Sequence, residues 1–393
     1  MRLGLYHEPI HTDGRSFDTY GPFARYVLGL AKHFERVILF APTSRQPTYF
    51  SGVPLDAPNL TIVPLPYFLT HIQALRHAGE IIDSFRRHCR EIDVIIARGT
   101  APLAYILWLL TASRRVPFIY HFASDPFEVI KNSPKYKGIY RMFALTAYNL
   151  EFQIQKFIVR RNYSFTSGEK IYRQLRKFTP NVEPIITSSL QQEDYFQRDD
   201  TCQHRPVKLL YVGYLRSSKG VEYLLEALRS LRESNHDVEL ELIGEGQYKS
   251  FLEQKARQLA IVDKVHFRGF AVMGPELNAF YNSADIFVLP SISEGSPKVV
   301  LEAMGHSLPV VATNVGNIPE MLAHGRRGIL VPPADSSAIA QAVLRIINDT
   351  DFRKQCIQEG YEFARNHNID TFIDRIAQKA RQLVLERQRM KEK

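Results

Sequence analysis

Short runs of β-branched and other apolar residues alternate with longer amphipathic segments along the whole chain. This alternation is typical of βαβ units, in which parallel strands carry helices on both faces of the sheet. In the first half the pattern predicts strands near residues 2–7, 37–40, 60–64, 94–97, 118–120, 164–166 and 182–187, and helices near residues 19–33, 72–88, 100–112 and 141–160. We therefore predict an α/β fold.

A polar stretch without any hydrophobic period, residues 191–206, interrupts this pattern. The alternation then restarts, with predicted strands at residues 207–212, 238–243, 265–267, 286–289 and 309–312 and helices at 221–232, 248–259, 275–283 and 297–304. This arrangement predicts two Rossmann-like domains, residues 1–195 and 207–370, joined by a linker at residues 196–206. Residues 371–393 are expected to form a helix that packs back on the N-terminal domain.

Composition narrows the class of protein. A chain of 393 residues with 45% hydrophobic content is long enough for two compact domains. The three cysteines are widely separated and lack a C-x-x-C spacing, so neither a disulfide framework nor a zinc site is expected. The N-terminus enters a strand without the features of a secretion signal, and the most apolar run, residues 101–112, is shorter than the roughly 20 residues that cross a bilayer. We therefore expect a cytoplasmic protein.

Positive charge is concentrated in the first half of the chain. Residues 1–195 hold 24 Lys and Arg against 16 Asp and Glu, so this half carries +8 of the formal net charge of +9. Residues 140–178 interleave basic and aromatic side chains, opposed only by Glu151 and Glu169. This stretch fits either two helices with solvated basic faces and aromatic core faces, or a surface that faces an anionic acceptor or the inner face of an anionic membrane. Nucleic acid is not expected as a partner.

The most informative segment is a predicted strand, polar loop and helix between residues 285 and 304. Gly295 permits a ligand to approach the backbone closely, and Pro297 suits the first helical turn because its missing N–H would be unpaired there. The remaining N–H groups of that turn, the helix dipole and Lys298 predict an anion site for a diphosphate. Glu302, one turn later, offers acceptors for paired sugar hydroxyls. The structural alternative is a surface helix after a buried strand.

This segment resembles the retaining family-4 glycosyltransferases of the GT-B fold, whose signature is two glutamates separated by seven residues in a frame like E-G-x-x-x-x-x-L-E-A-M. Glu294 and Glu302 match that spacing, and Gly295, Leu301 and Gly316 fall in register. The resemblance implies two Rossmann-like βαβ domains that face each other across a cleft. It also implies transfer of a sugar from a nucleoside-diphosphate sugar to an acceptor hydroxyl, with retention of anomeric configuration, in glycan, polysaccharide or glycolipid biosynthesis.

The resemblance spans residues 207–335 and implies a role for each matching position. Gly213 lies under the donor diphosphate, Lys219 contacts phosphate, Gly269 borders the nucleotide base, and Glu294 is a catalytic candidate that positions the donor sugar. The implied donor-binding set is completed by Gly295, Ser296, Pro297, Lys298, Val299 and Glu302. Basic residues and the helix end take the place of a metal, so we expect neither a metal ion nor a cofactor.

One departure from the family pattern concerns the diphosphate. The family usually has Arg directly after the Val-Gly pair, whereas this chain has Tyr214, with Arg216 nearby but displaced. Three explanations stay open. Arg216 reaches the diphosphate, or Lys219, Lys298 and the helix terminus hold it alone, or use of the donor is altered or lost.

The N-terminal half resembles the family more loosely, and three residues are candidates there. Gly14 follows the first strand, where relatives place a glycine-bearing loop near the diphosphate, although an ordinary turn also fits. His121 ends a predicted strand, where many relatives carry a His beside the reacting sugar, although a lone His is more often structural. Asp125 is either an acceptor contact or a helix N-cap. The acceptor implied is a glycan or a lipid-linked molecule.

Other functions are weighed against this one. A GT-B epimerase or phosphorylase would not need the donor-loop pattern with its paired glutamates. A catalytically weak or inactive scaffold or sugar-nucleotide-binding subunit would keep the fold, and Tyr214 is the observation in its favour. A dinucleotide oxidoreductase is disfavoured because neither opening βα unit carries G-x-G-x-x-G.

Overall fold

The computed structural model describes residues 1–7, 9–46, 52–68, 71–99, 103–123, 127, 130 and 138–391. The chain divides into two compact units. The first unit comprises Met1–Ile185 together with Asp370–Lys393, and the second comprises Ile186–Ile369. Among the described helices, none combines the length and the apolar character needed to span a membrane.

The first unit is built on a ten-stranded, mostly parallel sheet. Its strands are β1 (Arg2–Tyr6), β2 (Ile10–Thr12), β3 (Phe17–Thr19), β4 (Arg36–Ser44), β5 (Val53–Pro54), β6 (Leu60–Leu65), β7 (Val94–Arg98), β8 (Phe118–Phe122), β9 (Tyr163–Thr166) and β10 (Val182–Pro184). They follow the order β10-β9-β8-β7-β1-β4-β2-β3-β5, with β6 paired to β4. Residues 94–97 of β7 are fully buried, as expected for a parallel strand covered on both faces.

Helices cover this sheet and include the C-terminal one. They are α1 (Gly21–Ala31), α2 (His71–Arg76), α3 (Ala78–His88), α4 (Ala104–Ala112), α5 (Gly138–Val159), α6 (Glu169–Arg176) and α14 (Ile369–Lys391). The last of these packs closely on α1, because a Cβ atom at Gly29 would lie 2.3 Å from Cδ1 of Ile373. Phe372 also stacks on Tyr26, with ring centroids 6.0 Å apart.

The second unit contains a six-stranded, all-parallel sheet. Its strands are β11 (Val207–Val212), β12 (Val238–Ile243), β13 (Val265–Gly269), β14 (Ile286–Leu289), β15 (Val310–Thr313) and β16 (Gly328–Val331). The order β13-β12-β11-β14-β15-β16 is the doubly wound 3-2-1-4-5-6 arrangement. The strand order therefore reverses between β11 and β14.

Seven helices accompany the second sheet. They are α7 (Val221–Glu233), α8 (Lys249–Gln258), α9 (Pro275–Ser283), α10 (Lys298–Gly305), α11 (Ile318–Met321), α12 (Ser336–Asn348) and α13 (Thr350–Arg365). Most present an apolar face to one core that also contains the strands. Side-chain caps begin α12 and α13, where Asp335 accepts from the Ala338 N–H and Asp349 accepts from the Phe352 N–H.

The prediction of a linker at residues 196–206 is wrong, because this segment is an integral part of the second unit. Arg198 donates to the backbone carbonyls of Asn282 and Ala284, at 3.0 and 2.6 Å. Asp200 forms an ion pair with the nearly buried Arg353, at 2.7 Å. The segment lacks a hydrophobic period because polar side chains and backbone groups fix it in place. The division of the chain accordingly falls at residue 185 rather than at residue 195.

Candidate functional site

The strand reversal in the second unit brings two loops side by side. In doubly wound sheets, ligands bind beyond the carboxyl ends of the strands at the point where the order reverses. Here β11 and β14 are neighbours, so the segment that follows Val212 and the segment that follows Leu289 meet there. The backbone N–H of Ile292 donates to the carbonyl of Ser218 at 3.0 Å and holds the two loops together.

An ion pair joins the same two loops. Lys219 Nζ lies 2.5 Å from Oε1 of Glu294, and the Ser291 hydroxyl donates to the same oxygen at 2.7 Å. Only 13% of the Lys219 side chain and 9% of the Glu294 side chain are exposed. The sequence assigned these residues to phosphate and to sugar as separate contacts, whereas the structure couples them. Lys219 therefore neutralises Glu294 and fixes the position of its carboxylate.

Two glycines shape the loop that carries Glu294. Gly316 has φ +58°, and a Cβ atom there would lie 2.5 Å from the Glu294 carbonyl oxygen. The N–H of Asn317 donates to the carbonyl of Gly295 at 2.8 Å. At Gly220, with φ +61°, a Cβ atom would lie 2.2 Å from the Pro290 carbonyl oxygen. Side chains at positions 220 and 316 would thus displace the loop, which gives both glycines a structural reason.

Gly295 itself differs from these two. It is exposed, and a Cβ atom there would meet no other atom within 4 Å. The protein's own packing therefore does not require glycine at this position. Open space next to the backbone is what a ligand that approaches closely would need.

Helix α10 begins at Lys298, one residue later than the sequence predicted. Pro297 is the N-cap residue, with φ −71° and ψ 112°, so its backbone is extended rather than helical. The expectation that Pro297 occupies the first helical turn is therefore wrong. The first turn of a helix has N–H groups without intrahelical partners and carries partial positive charge. In α10 that turn begins with Lys298 and Val299, and Gly295 and Ser296 directly precede the N-cap residue.

Glu302 is buried in α10, with 5% of its surface exposed. Its Oε2 accepts a hydrogen bond from the Tyr281 hydroxyl at 3.2 Å. Burial, reinforced by the charge of Glu302, raises the pKa of Tyr281 well above its usual value, so this phenol stays a donor. The Tyr281 ring stacks on that of His306 at 5.0 Å. Sequence reasoning missed both supports, although His306 stands one helical turn after Glu302.

Two of the glycines predicted to line the donor site lie in neighbouring loops at the carboxyl ends of the second sheet. Gly213 follows β11 and Gly269 ends β13, the strand next but one. Gly244 stands between them, because its N–H donates to the Gly269 carbonyl at 2.7 Å. A Cβ atom at Gly244 would lie only 2.0 Å from the Gly213 carbonyl oxygen. Gly269 is therefore placed at the outer end of this edge, and Gly213 at the strand reversal.

Tyr214, which replaces the arginine usual in the family, is 47% exposed. Its carbonyl accepts from the Tyr211 hydroxyl at 2.9 Å. The guanidinium of Arg216 lies 5.9 Å from the centre of the Tyr214 ring. The two side chains thus project together from the loop that follows β11, next to Gly213.

The candidates in the first unit have separate surroundings. His121 is buried in β8, where its Nε2 lies 3.1 Å from the Ser167 hydroxyl and its ring meets Phe372 edge-on. Gly14 lies in the turn between β2 and β3 with φ +91°, beside Asp13, which accepts from two backbone N–H groups. The structure thus places Gly14 in a hairpin turn. Asp125 lies outside the described residues.

Two polar residues that sequence reasoning did not select lie near His121. Arg98 ends β7 and hydrogen-bonds Nε2 of His7, which follows β1. The His7 ring stacks on Phe23 with centroids 3.5 Å apart. Because β8, β7 and β1 are consecutive in the sheet, His121, Arg98 and His7 stand at neighbouring strand ends. The signal in the sequence is a polar residue at the end of each apolar strand.

Comparison with known proteins agrees with this geometry. Residues 195–363 match the family model described as Glycosyl transferases group 1. The chain is 37% identical over 172 residues to an uncharacterized glycosyltransferase of Methanocaldococcus jannaschii, a match that spans 44% of each protein. It therefore covers less than half the length of that relative. A longer match, 24% identical over 323 residues, covers 79% of this chain and 75% of TuaC, a Bacillus subtilis glycosyltransferase provisionally assigned to teichuronic acid biosynthesis.

A solved structure shows the fold over nearly the whole chain. Anabaena HepE, crystallised in complex with UDP, has a TM-score of 0.70 and 16% sequence identity to this chain, over 96% of this chain and 99% of HepE. The all-parallel sheet of the second unit and the mostly parallel sheet of the first are the Rossmann-like pair of that fold. The match to the glycosyl transferases group 1 family thus covers residues 195–363, less than half of the chain, and the fold of the chain is the GT-B fold of glycosyltransferases.

Proposed function

We propose that this protein transfers a sugar from a nucleoside-diphosphate sugar to an acceptor hydroxyl. The observation that carries the proposal is the strand reversal of the second unit, where two adjacent loops and one helix bring together the Lys219–Glu294 pair, the start of α10 and the buried Glu302. The UDP bound to HepE, a protein of the same fold, supports a nucleotide donor.

The diphosphate is assigned to the loop before α10 and to its first turn. N–H groups at a helix N-terminus and the dipole favour phosphate oxygens, and Lys298 adds a full positive charge. Gly295 gives these oxygens room to reach the backbone. Lys219 has three N–H donors, so its ammonium can stay paired with Glu294 while it donates to phosphate. This explains why the two residues are coupled in the structure.

The sugar hydroxyls are assigned to the two glutamates. A carboxylate only accepts hydrogen bonds, and hydroxyls supply the matching donors. Glu294 is held by Lys219 and Ser291, while Glu302 is held by Tyr281. Pre-positioned acceptors of this kind cost no reorganisation when the sugar develops positive charge in an oxocarbenium-like transition state. Transfer with retention of configuration is part of this proposal.

The leaving diphosphate needs compensation for its negative charge. In this proposal, Lys219, Lys298 and the N-terminus of α10 supply it electrostatically, so that no metal ion is required. Arg216, beside Tyr214, is the candidate to replace the arginine that the family usually has directly after the Val-Gly pair. Treatment with EDTA should therefore leave turnover unchanged. A loss that added magnesium restores would contradict this part.

The acceptor is proposed to be a glycan of a polysaccharide or a lipid-linked glycan. TuaC, which aligns with most of this chain, is provisionally assigned to teichuronic acid biosynthesis, and this similarity supports the proposal. In the first unit, His121, Arg98 and His7 form the polar cluster suited to acceptor hydroxyls, because all three stand at strand ends.

A thermal-shift series with UDP-, GDP- and ADP-sugars tests this proposal. A donor that binds only the native state raises the melting temperature by mass action, and the donor that does so is then assayed for release of nucleoside diphosphate with candidate acceptors. A shift followed by turnover supports the transferase. A shift without turnover under any acceptor favours a sugar-nucleotide-binding subunit, the alternative to which Tyr214 points. The absence of any shift contradicts both.

A further inference from the structure

Helix α5 of the first unit carries apolar side chains on two opposite faces. Its inner face is buried and contains Tyr148, Phe152, Ile158 and Val159. A second apolar stripe is exposed at helical spacing, with exposed fractions between 38% and 67%, formed by Ile139, Phe143, Leu150, Ile154 and Phe157. At 3.6 residues per turn these five positions fall within about 60° of one another, more than 90° away from most of the buried ones. We call them the outer stripe.

The outer stripe is unusual for this protein. Seven exposed large apolar side chains lie on α5, the five of the outer stripe together with Tyr140 and Met142 on either side of it, whereas no other described helix carries more than two. Scattered exposed apolar residues are ordinary, but a contiguous apolar patch on a soluble surface usually marks an interaction site. Trp108 of α4 borders the patch, because its ring packs edge-on against that of Phe157.

The helix that presents this stripe is anchored to the sheet. The side-chain amide of Gln155 donates to the Tyr120 hydroxyl at 2.9 Å, and Phe152 meets Phe122 of β8 edge-on. These contacts fix the rotation of α5 about its axis. The outer stripe is therefore a permanent surface of the unit and does not arise from rotation of a loosely held helix.

Basic side chains border the stripe at its C-terminal end. The guanidinium of Arg161 lies 4.2 Å from the ring centre of Phe157. Lys156 and Arg160 lie over the exposed ring of Phe178, at 4.7 and 5.3 Å. Between residues 138 and 178 the chain has eight Lys and Arg against two Glu. The patch thus combines apolar side chains with a strong positive charge.

This combination selects one kind of partner. An amphipathic helix with aromatic and aliphatic side chains beside Lys and Arg is the pattern of helices that lie in a membrane interface, where the apolar face enters the headgroup region and the cations meet lipid phosphates. Its 22 residues give α5 a length of about 33 Å, all of which can lie along the surface. A second copy of the chain fits poorly, because a symmetric contact through this face would bring two strongly positive surfaces together.

We propose that α5 docks this protein on a lipid surface that contains anionic phospholipids. The outer stripe inserts among the headgroups, while Arg160, Arg161, Arg176 and Lys177, all exposed, bind lipid phosphates. The proposal concerns the first unit alone and stands whether or not the transferase function is correct.

Vesicle flotation of the full chain tests this docking. Vesicles of phosphatidylcholine alone are compared with vesicles of phosphatidylcholine mixed with phosphatidylglycerol, at low and at high salt. We expect binding to the mixed vesicles only, weakened by salt because the exposed charges are screened. Equal binding to both kinds of vesicle, or to neither, would overturn the proposal.

Variants separate the contribution of the apolar outer stripe from that of the basic side chains beside it. The double variant Phe143→Ser/Leu150→Ser should abolish vesicle binding, and Arg160→Gln/Arg161→Gln/Lys177→Gln should weaken it about a hundredfold. All five side chains are exposed, so the melting temperature should stay within a degree or so of the wild type. Matched controls on α8 are Phe251→Ser and Arg257→Gln, which should bind like the wild type. If controls and stripe variants bind alike, the proposal fails.

A separate measurement tests whether the outer stripe binds a second copy of this chain instead of lipid. Sedimentation velocity of the wild type should show the same association state as Phe143→Ser/Leu150→Ser. If the wild type is a dimer that this variant converts to a monomer, the stripe is a protein interface and lipid docking is wrong.

Discussion

The carboxyl ends of the two sheets differ in how they present polar groups. In the second unit, loops closed by Gly220 and Gly316 hold the Lys219–Glu294 pair, and the groups that would meet a ligand are backbone N–H groups and charged side chains. In the first unit, the strand ends carry the bulky side chains of His7, Arg98 and His121, packed among aromatic rings. The carboxyl edge of the sheet in the second unit, which we call the second edge, is suited to a charged group that approaches the backbone. The carboxyl edge of the sheet in the first unit, which we call the first edge, is suited to hydroxyl-bearing molecules recognised by side chains.

Removal of a charged group at the second edge should have the largest effect. We expect Lys219→Ala and Glu302→Ala each to lower turnover by at least about 10³, because each removes electrostatic stabilisation of the transition state. Initial rates at saturating donor measure this. Lys264→Ala, which removes a surface ion pair with Asp237, is the matched control and should be fully active.

Stability must be followed in the same variants. Glu302→Ala leaves the buried Tyr281 hydroxyl without its acceptor, which costs about 1–3 kcal/mol in the free energy of unfolding. Glu302→Gln keeps an acceptor for Tyr281 and should be as inactive as the alanine variant but more stable. Wild-type turnover in Lys219→Ala or in Glu302→Gln would contradict the assignment of this edge.

Substitution at the first edge should change turnover and spare donor binding. We expect His121→Ala to lower turnover about 10²-fold while the Kd for the nucleoside diphosphate stays within twofold of the wild type, because His121 lies in the other unit. Titration calorimetry and initial rates on the same preparation separate the two effects. A weakened diphosphate affinity in this variant would remove the distinction between the edges.

Two glycines of the same loop should respond in opposite ways. Gly316→Ala places a Cβ atom against the Glu294 carbonyl at a positive φ, so it should lose about 1–3 kcal/mol of stability. Gly295→Ala meets no protein atom and should keep the wild-type melting temperature, yet weaken donor binding about tenfold because the added methyl occupies the ligand's approach. Equal donor affinity in Gly295→Ala and the wild type would show that no ligand approaches there.

The last expected effect is a pH dependence of stability, which leaves turnover near neutral pH unchanged. Burial lowers the pKa of His306 to about 4, below the usual value of 6.5. Between these values the unfolded chain binds a proton that the folded chain does not, so stability is complete above about pH 6.5 and falls by up to about 3 kcal/mol toward pH 4. Urea titrations at a series of pH values give the free energy of unfolding of the wild type and of His306→Gln. Between pH 4 and 6.5 this free energy should change more steeply with pH in the wild type than in the variant. The same slope in both would show that His306 does not contribute.

The sequence predicted the second unit better than the first. The predicted strands 207–212, 238–243 and 286–289 coincide with β11, β12 and β14, because each is a short apolar run between polar loops. In the first unit, the short strands β2, β3 and β5 were missed because two or three residues carry no recognisable period. The predicted helix at residues 72–88 is two helices, α2 and α3. The segment 196–206 was taken for a linker because its contacts are polar and distant in sequence.

The site could be predicted where local spacing decides the geometry. Glu294 and Glu302 lie eight positions apart on one loop and helix, so their proximity follows from the chain itself. The Lys219–Glu294 pair is 75 residues apart, and its contact depends on β11 lying next to β14. Likewise His7 and Arg98 meet only because β1 and β7 are neighbours. Contacts that depend on strand order cannot be read from spacing alone.

Calorimetric titration of the wild type with UDP, GDP and ADP, each paired with its nucleoside, tests the central claim most directly. The start of α10 and Lys298 are assigned to the diphosphate, so one nucleoside diphosphate should bind at least about a hundredfold more tightly than its nucleoside. Lys298→Gln should reduce this difference in affinity between the diphosphate and its nucleoside. Failure of all three diphosphates to bind, or equal affinity for diphosphate and nucleoside, would contradict the account.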